Sequence, residues 1–483
     1  MKPRPKPTRM SKPLKVDTVI VGAGSAGLSA LREVRQYTDD FLVINDGHWG
    51  TTCAAVGCMP SKALIEAANA FHRRSTFEEF GIRGAEGLRA DIPAVLARVR
   101  KMRDEFVKGP EAVPEQLGDR ALSGRAKLLG PGRIEVNGTE IEARAIILAP
   151  GSRPVVPGPW RKFGDRILTT DSLFEQQDLP RRIAVIGMGA IGVEIAQALA
   201  RLGLDVAGFD AVDGLAGIDD AEVLDAFRPL IAEDVDLYLG SEADLTGTGD
   251  AIRVSGAGGA FDADAILAAI GRRPNIDGLG LDTLDVPLDD TGMPEIDPCT
   301  LRIGDHQVFL AGDANGIRAL LHEAADEGHI AGRMAAPGIS GTGFSRRTPL
   351  SIVFSTPQIA QVGATPSNLQ DRGYETGSFD FSKQSRARMA QTGGGVIHIY
   401  ATRDTGRLLG AEICAPAAEH LAHLLALAVE RRLRVADMLA MPFYHPVLEE
   451  GLRSALRGLA KAVSEAGGSD LSDCEAIGHD ALD

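Results

Sequence analysis

Two copies of one local pattern constrain this chain more than any other feature. Asp17-Thr-Val-Ile-Val21 runs into Gly22-Ala-Gly24-Ser25-Ala26-Gly27 and then Leu28-Ser-Ala-Leu-Arg; Ile183-Ala-Val-Ile runs into Gly187-Met-Gly189-Ala190-Ile191-Gly192-Val-Glu194. Each reads as strand, glycine turn, helix. The first glycine makes the tight turn, the second lets backbone approach a pyrophosphate, and the third packs helix on strand. The helix start then offers N–H groups and a favourable dipole to an anion. One such turn is weak evidence; two in the same context point to two dinucleotide-binding units. Both continue to a second strand, ending at Asn45-Asp46 and at Asp210, with the same spacing of 23 from Gly22 to Asn45 and from Gly187 to Asp210. A carboxylate there accepts hydrogen bonds from ribose hydroxyls. Asp210 fits, and residues 211–220 contain no Lys or Arg to hold a 2′-phosphate, so this unit should prefer NAD to NADP. In the first unit Asn45 holds the carboxylate position and Asp46 follows. A neutral amide binds a hydroxyl more weakly than a carboxylate, and both residues are candidates.

The 483 residues suggest about three domains. A net charge of −15 disfavours non-specific binding to nucleic acid or an anionic membrane, which needs a positive field. With 44% hydrophobic residues a large core is expected, and no apolar run reaches the roughly 18 residues of a membrane span. Five cysteines do not form a disulfide scaffold and suggest a reducing, cytoplasmic setting. Residues 1–15, with six basic residues and four prolines, read as a disordered arm without an apolar signal region, and Met10 offers a second start. Residues 464–483, with six acids and no Lys or Arg, read as a solvated tail.

Beside the first unit lies Gly50-Thr51-Thr52-Cys53-Ala-Ala-Val-Gly57-Cys58-Met-Pro60-Ser-Lys62. On an ideal helix five steps of about 100° leave the two side chains about 140° apart, so joining the two thiols requires a distorted helical turn. A helix N-terminus and Lys62 would both favour thiolate. From the spacing alone, two unrelated buried thiols remain the alternative.

The residues around these cysteines resemble the pyridine nucleotide–disulfide oxidoreductases of the glutathione reductase and dihydrolipoamide dehydrogenase type. That family's pattern, G-G-T-C-x4-G/C-x-P-S-K, covers 50–62 with Thr51 in place of the second glycine. Similar matches run over about residues 16–460: Ile146 to Pro154 (with Pro150 where Thr is usual), Ala265 to Asn275, Val308 to Asp313, Leu320-Leu321-His322, Val353 to Gly363 and Phe443-Tyr-His445-Pro446-Val-Leu-Glu-Glu450. The resemblance implies an α/β fold: two Rossmann-like FAD- and NAD-binding domains plus a C-terminal α+β dimerisation domain. The implied boundaries are 16–155 and 278–347 for FAD, 156–277 for NAD and 348–463 for the interface.

It further implies FAD at Gly22, Gly24, Ser25, Ala26, Gly27, Asn45 or Asp46, Thr52, Lys62, Ala126, Gly151, Asp313, Leu320, Leu321 and His322. NAD is implied at Gly187, Gly189, Ala190, Ile191, Glu194, Asp210 and Gly271, and no metal site is expected. By position Cys53 matches the interchange thiol and Cys58 the thiolate against the flavin. Lys62 and Glu194 match an ion pair near flavin N5. His445 matches a base that acts on the other subunit's interchange cysteine, with Glu450 orienting it, so a homodimer is implied.

The absence of basic residues after Asp210, the intact His-Pro-x3-Glu and a tail holding only Cys474 favour dihydrolipoamide on a carrier protein as substrate. Such a carrier belongs to a 2-oxoacid dehydrogenase, a glycine-cleavage system or stands alone. A glutathione reductase-like enzyme is the alternative; a non-catalytic scaffold of the same fold is a third. Asn45, Thr51, Pro150, Phe354 and Glu323 depart from the family and suggest a divergent branch with a dedicated partner. Cys299 and Cys414 read as structural.

Overall fold

The strands that lead into the glycine turns end in apolar runs, residues 19–21 and 183–186, which suits parallel strands covered on both faces. The structure is a computed structural model that describes residues 13–339 and 343–463. The described residues form two compact units, those up to 60, 98–155 and 271–346 in one, and 61–97, 156–270 and those from 347 in the other. Among the described residues no helix is long and apolar enough to cross a membrane.

In the first unit Leu14–Val21 is a central strand, parallel to Phe41–Asn45 on one side and Thr139–Leu148 on the other. Ala121–Ser123 and Val308–Leu310 extend this parallel set, and Ala126–Gly130 with Arg133–Val136 adds an antiparallel part. Alternate residues enter different cores. Val19, Val21, Leu42 and Ile44 face one, while Ile20, Phe41 and Val43 face the other, where the helices Ser25–Val34 and Leu321–Met334 pack. The expected N-terminal arm is too long by two residues: the strand begins at Leu14, and Lys15 pairs with Glu142 at 2.8 Å. The β-branched run that follows recruits these residues into the ladder. Residues 1–12 and the acidic tail 464–483 lie outside the described residues.

Among the described residues the second unit holds three sheets, one of them the antiparallel set Asp244–Thr248, Ala251–Gly256 and Gly259–Ala263. Five parallel strands run in the order Asp236–Leu239, Asp205–Asp210, Arg182–Ile186, Ala265–Ala268, Ile167–Leu168. A five-stranded antiparallel sheet runs in the order Leu350–Val353, Gln358–Gly363, Leu408–Ala415, Val396–Thr402, Tyr374–Asp380. Its period-two alternation puts Ile397, Ile399, Ala411 and Ile413 in a core with the helices Ala418–Glu430 and Glu449–Ala460. The alternate residues His398, Tyr400 and Glu412 are also buried and are polar. Together the parallel and antiparallel parts make the mixed α/β architecture expected from the sequence.

The two helices of the first unit touch backbone to backbone. A Cβ at Gly328 would lie 2.1 Å from the carbonyl oxygen of Ala26. Gly328→Ala is therefore expected to lower stability by about 1–3 kcal/mol through overpacking, read as a lower denaturation midpoint. An unchanged midpoint would mean the helices separate at no cost.

Candidate active site

The two glycine turns are built alike. Gly22 and Gly187 have φ of +100° and +95°, and a Cβ on either would strike the neighbouring strand, at 2.1 Å from Ala149 O and 2.4 Å from Ala269 O. A Cβ on Gly27 or Gly192 would lie 1.9 and 1.7 Å from the carbonyl oxygen of its own first glycine. The middle glycines differ: the nearest atom to a Cβ on Gly24 is Gly50 O at 4.0 Å, and Gly189 meets nothing within that range. Gly24 and Gly189 are the N-caps of helices Ser25–Val34 and Ala190–Arg201. Each turn thus presents bare backbone at a helix start to open space, which fits the pyrophosphate of a dinucleotide.

Around the first turn lies a cavity of about 590 Å³, the size of a cofactor site, lined by Gly22, Gly24, Asn45, Asp46, Thr52, Ala126 and Gly151 of the expected residues. Arg125 and Asp277 also line it and were not singled out from the sequence. Ser25, Ala26, Gly27, Asp313, Leu320, Leu321 and His322 are not among its lining residues, although all belong to the same unit. Asp313 accepts from Ser152 Oγ at 2.7 Å, and Arg272 Nε donates to that hydroxyl at 2.8 Å. Leu320 caps the helix Leu321–Met334, with Leu321 and His322 exposed on its first turn. Ala190 and Ile191 are likewise exposed beside Gly189. Gly271 falls in the first unit, apart from the other residues expected to hold NAD.

The two acceptor positions differ in what they have left to offer. Asp210 Oδ2 accepts from Met188 N–H at 2.6 Å and Oδ1 from Val212 N–H at 3.0 Å. A carboxylate with two such bonds still has lone pairs facing outward. Asn45 Oδ1 takes the equivalent N–H, from Ala23 at 3.0 Å. Its amide donates to Gly47 O and His48 O at 3.2 and 2.9 Å, so both donor hydrogens are used within the turn. Asn45 shapes the loop, and the exposed Asp46 beside it carries the charge.

The cysteines sit on two consecutive helical turns with a break between them. Thr52–Ala55 forms a single turn carrying Cys53, and Cys58 opens the helix Cys58–His72. The distortion expected from the spacing is this break at Val56–Gly57. A Cβ at Gly57 would lie 3.1 Å from Thr52 O and 3.2 Å from Cys53 Cα, so glycine lets the turns close on each other. Thr51, the departure from the family pattern, is the N-cap of the first turn and accepts from Ala54 N–H at 2.9 Å. Cys53 is half-buried and Cys58 exposed, whereas Cys414 is buried in a strand and its thiol is pushed up to about 12 by desolvation. Cys299, expected to be structural, is exposed.

Lys62 lies one turn beyond Cys58 on the same helix. Its ammonium donates to both oxygens of Glu194, at 2.7 and 2.9 Å. Glu194 is buried and also accepts from the backbone N–H of Phe354 at 2.8 Å. The Phe354 ring lies beneath the ammonium, 4.7 Å away. The expected pair therefore has a third member that both satisfies the acid and covers the base. His445 Nδ1 is 2.9 Å from Glu450 Oε1, and Val447 N–H donates to Oε2 at 3.2 Å. The His445 hydrogen bond holds the Glu450 carboxyl below the usual range, and the acid sits in the first turn of Glu449–Ala460, where the helix dipole favours its charge. The imidazole is 75% exposed.

The family model for pyridine nucleotide-disulphide oxidoreductase matches residues 16–328, and the model for that family's dimerisation domain matches 350–456. A dihydrolipoyl dehydrogenase of Halobacterium salinarum is 30% identical over 466 residues, covering 92% of this chain and 97% of its own. One from Thermus scotoductus is 31% identical over 460 residues, covering 92% and 97%. Among solved structures, LpdA from Mycobacterium tuberculosis has a TM-score of 0.79 at 26% identity, covering 92% of this chain and 99% of its own.

Removing the base of the Lys62–Glu194 pair strands a buried acid. Lys62→Met should cost about 2–4 kcal/mol in denaturant unfolding, and adding Glu194→Gln should return part of it. Additive losses in the double variant would show that the two groups do not interact.

Proposed function

The chain belongs to the pyridine nucleotide-disulphide oxidoreductase family, and from that premise we propose that it is a dihydrolipoyl dehydrogenase: it oxidises a dihydrolipoyl group on a carrier protein and reduces NAD⁺. The observation that carries this reading is the cysteine pair on paired turns, Cys53 and Cys58, in a chain that also keeps a His–Glu pair and aligns with dihydrolipoyl dehydrogenases over almost its whole length. The family's dimerisation domain supports a homodimer.

In this reading the substrate dithiol is oxidised while the Cys53–Cys58 disulfide is reduced. His445 takes a proton from a substrate thiol, the general-base work that an imidazole does at neutral pH. The thiolate attacks Cys53, breaking the enzyme disulfide and forming a mixed disulfide. The second substrate thiol then displaces Cys53, closing the lipoyl disulfide and leaving both cysteines reduced. Glu450 fixes the tautomer and direction of His445 as an acid does in a triad. Cys58, at a helix N-terminus, is placed to remain a thiolate. Bound FAD and NAD⁺ supply the two-electron acceptors that return the pair to its disulfide. On the FAD side Gly24 would admit the pyrophosphate and Asp46 the ribose; on the NAD side Gly189 and Asp210 would do the same. His445, exposed in one protomer, serves the cysteine pair of its partner.

Cys53→Ser should abolish lipoamide turnover while flavin stays bound, measured by steady-state assay and absorbance; retained turnover would remove Cys53 from the interchange role. With NADH and NADPH compared, kcat/KM should favour NADH by at least about tenfold, or ~1.4 kcal/mol. Equal values would overturn the reading of Asp210, and faster reduction of glutathione disulfide than of lipoamide would favour the glutathione reductase-like alternative.

A further inference from the structure

The loop that follows Asp210 is tied at both ends. It turns at Ala216 and Gly217, with φ of +57° and +75°. Ala216 N–H donates to Met188 O at 2.8 Å, while Met188 N–H donates to Asp210 at 2.6 Å. Met188, inside the second glycine turn, thus joins the loop to the ribose acid.

The far side of the loop rests on the antiparallel sheet of the same unit. A polar row crosses all five strands: Ser351, Gln361, Glu412, His398 and Ser378 are successive cross-strand neighbours. Glu412 is fully buried. It accepts from Asp220 N–H at 2.7 Å, from Asp219 N–H at 3.2 Å and from Gln361 Nε2 at 2.6 Å. The same Gln361 amide donates to Gly217 O at 2.8 Å. Asp220 then caps the helix Ala221–Ala232 through Oδ1, and its Oδ2 accepts from Tyr400 and pairs with His398 Nδ1 at 2.8 Å. Burial pushes the Asp220 carboxyl up, but the bonds from His398 and Tyr400 outweigh it and hold it at about 2.

Among the described residues none of these groups hydrogen-bonds to Asp210 or to the glycine turn. Simple adhesion between loop and sheet would be served as well by apolar residues, because a buried carboxylate carries a desolvation cost that only directed donors offset. What the carboxylate adds is direction: it converges two backbone N–H groups and one side-chain amide and so sets the path of residues 217–220.

We propose that Glu412 and Gln361 are positioning residues for the second dinucleotide unit, fixing the loop 216–220 and, through Ala216 and Met188, the orientation of Asp210 toward a bound nicotinamide dinucleotide. This rests on reading that unit as the NAD site, and it is independent of which disulfide the enzyme serves.

The test uses the holoenzyme with Glu412→Gln and, as a variant that removes no charge, Gln361→Met. NADH-driven reduction of ferricyanide, which needs no lipoyl substrate, gives KM and limiting rate. Anaerobic bleaching of the flavin by dihydrolipoamide without nicotinamide reports the other half-reaction. The KM for NADH should rise about tenfold in Glu412→Gln and about threefold in Gln361→Met, with the limiting rate and the dithiol-driven bleaching within about twofold of the parent. An unchanged KM in variants that melt cooperatively would overturn the proposal. A parallel fall of KM-independent rate and dithiol-driven bleaching would also overturn it, assigning Glu412 to general packing. If Glu412→Gln does not fold, Gln361→Met decides alone. A parent enzyme that reduces ferricyanide with NADH but ignores lipoyl substrates would refute the substrate reading only; one that ignores NADH would refute both.

Discussion

A helix can begin directly over the end of a strand only where no side chain separates them. In both halves of this protein that condition is met by a single hydrogen atom. At Gly27 and Gly192 a methyl group would fall 1.9 and 1.7 Å from a backbone carbonyl oxygen, which no rotamer change can move aside. The close contact brings the helix N-terminus to the strand's end and leaves the middle glycine facing open space. The later features of each turn are laid out from it, including Asn45 and Asp210, each 23 residues after the first glycine of its turn.

How much of this could be read in the chain follows from how local each feature is. The glycine turns, Asp210 and the parallel strands are encoded within about thirty residues, and their spacing survives into the structure. The broken turn between Cys53 and Cys58 was legible as a geometric need, but its solution, Gly57 against Cys53 and Thr51 as a cap, depends on backbone directions that spacing does not specify. Asn45 shows a different limit. Residue type made it a ribose candidate, whereas the path of Gly47 and His48 decides that its amide is used inside the loop. Arg125 and Glu412 carry no local pattern; the first is revealed by the cavity it lines and the second by cross-strand register.

The buried ionisable groups share one rule. Glu194 combines Lys62 with the Phe354 N–H. Glu327, whose carboxyl burial pushes up, combines Arg346 with Gly312 N–H and the Asn315 amide. Glu412 accepts from two backbone N–H groups and one side-chain amide. In each case a carboxylate organises backbone that the parallel sheet alone would leave undetermined, and the apolar core supplies the low dielectric that makes those bonds directional. Glu323, where the family frequently has Lys, follows the same rule through Arg318 and Arg346, so the departure is absorbed by its neighbours rather than left as an uncompensated charge.

His445 and Glu450 stand apart from this pattern. Their hydrogen bond is 2.9 Å long, but the imidazole is 75% exposed, and an exposed pair contributes little to stability. The fold therefore gains almost nothing from holding them in register, in contrast to Lys62 and Glu194, where geometry and stability are the same requirement. A Glu at the start of a helix that fixes a solvent-facing His makes physical sense as preparation for something that arrives from outside the protomer. The pair lies within the residues that match the family's dimerisation domain. On the proposed chemistry, association would supply the dry surroundings in which an oriented base becomes effective, and a single chain would bind its cofactors yet lack that environment.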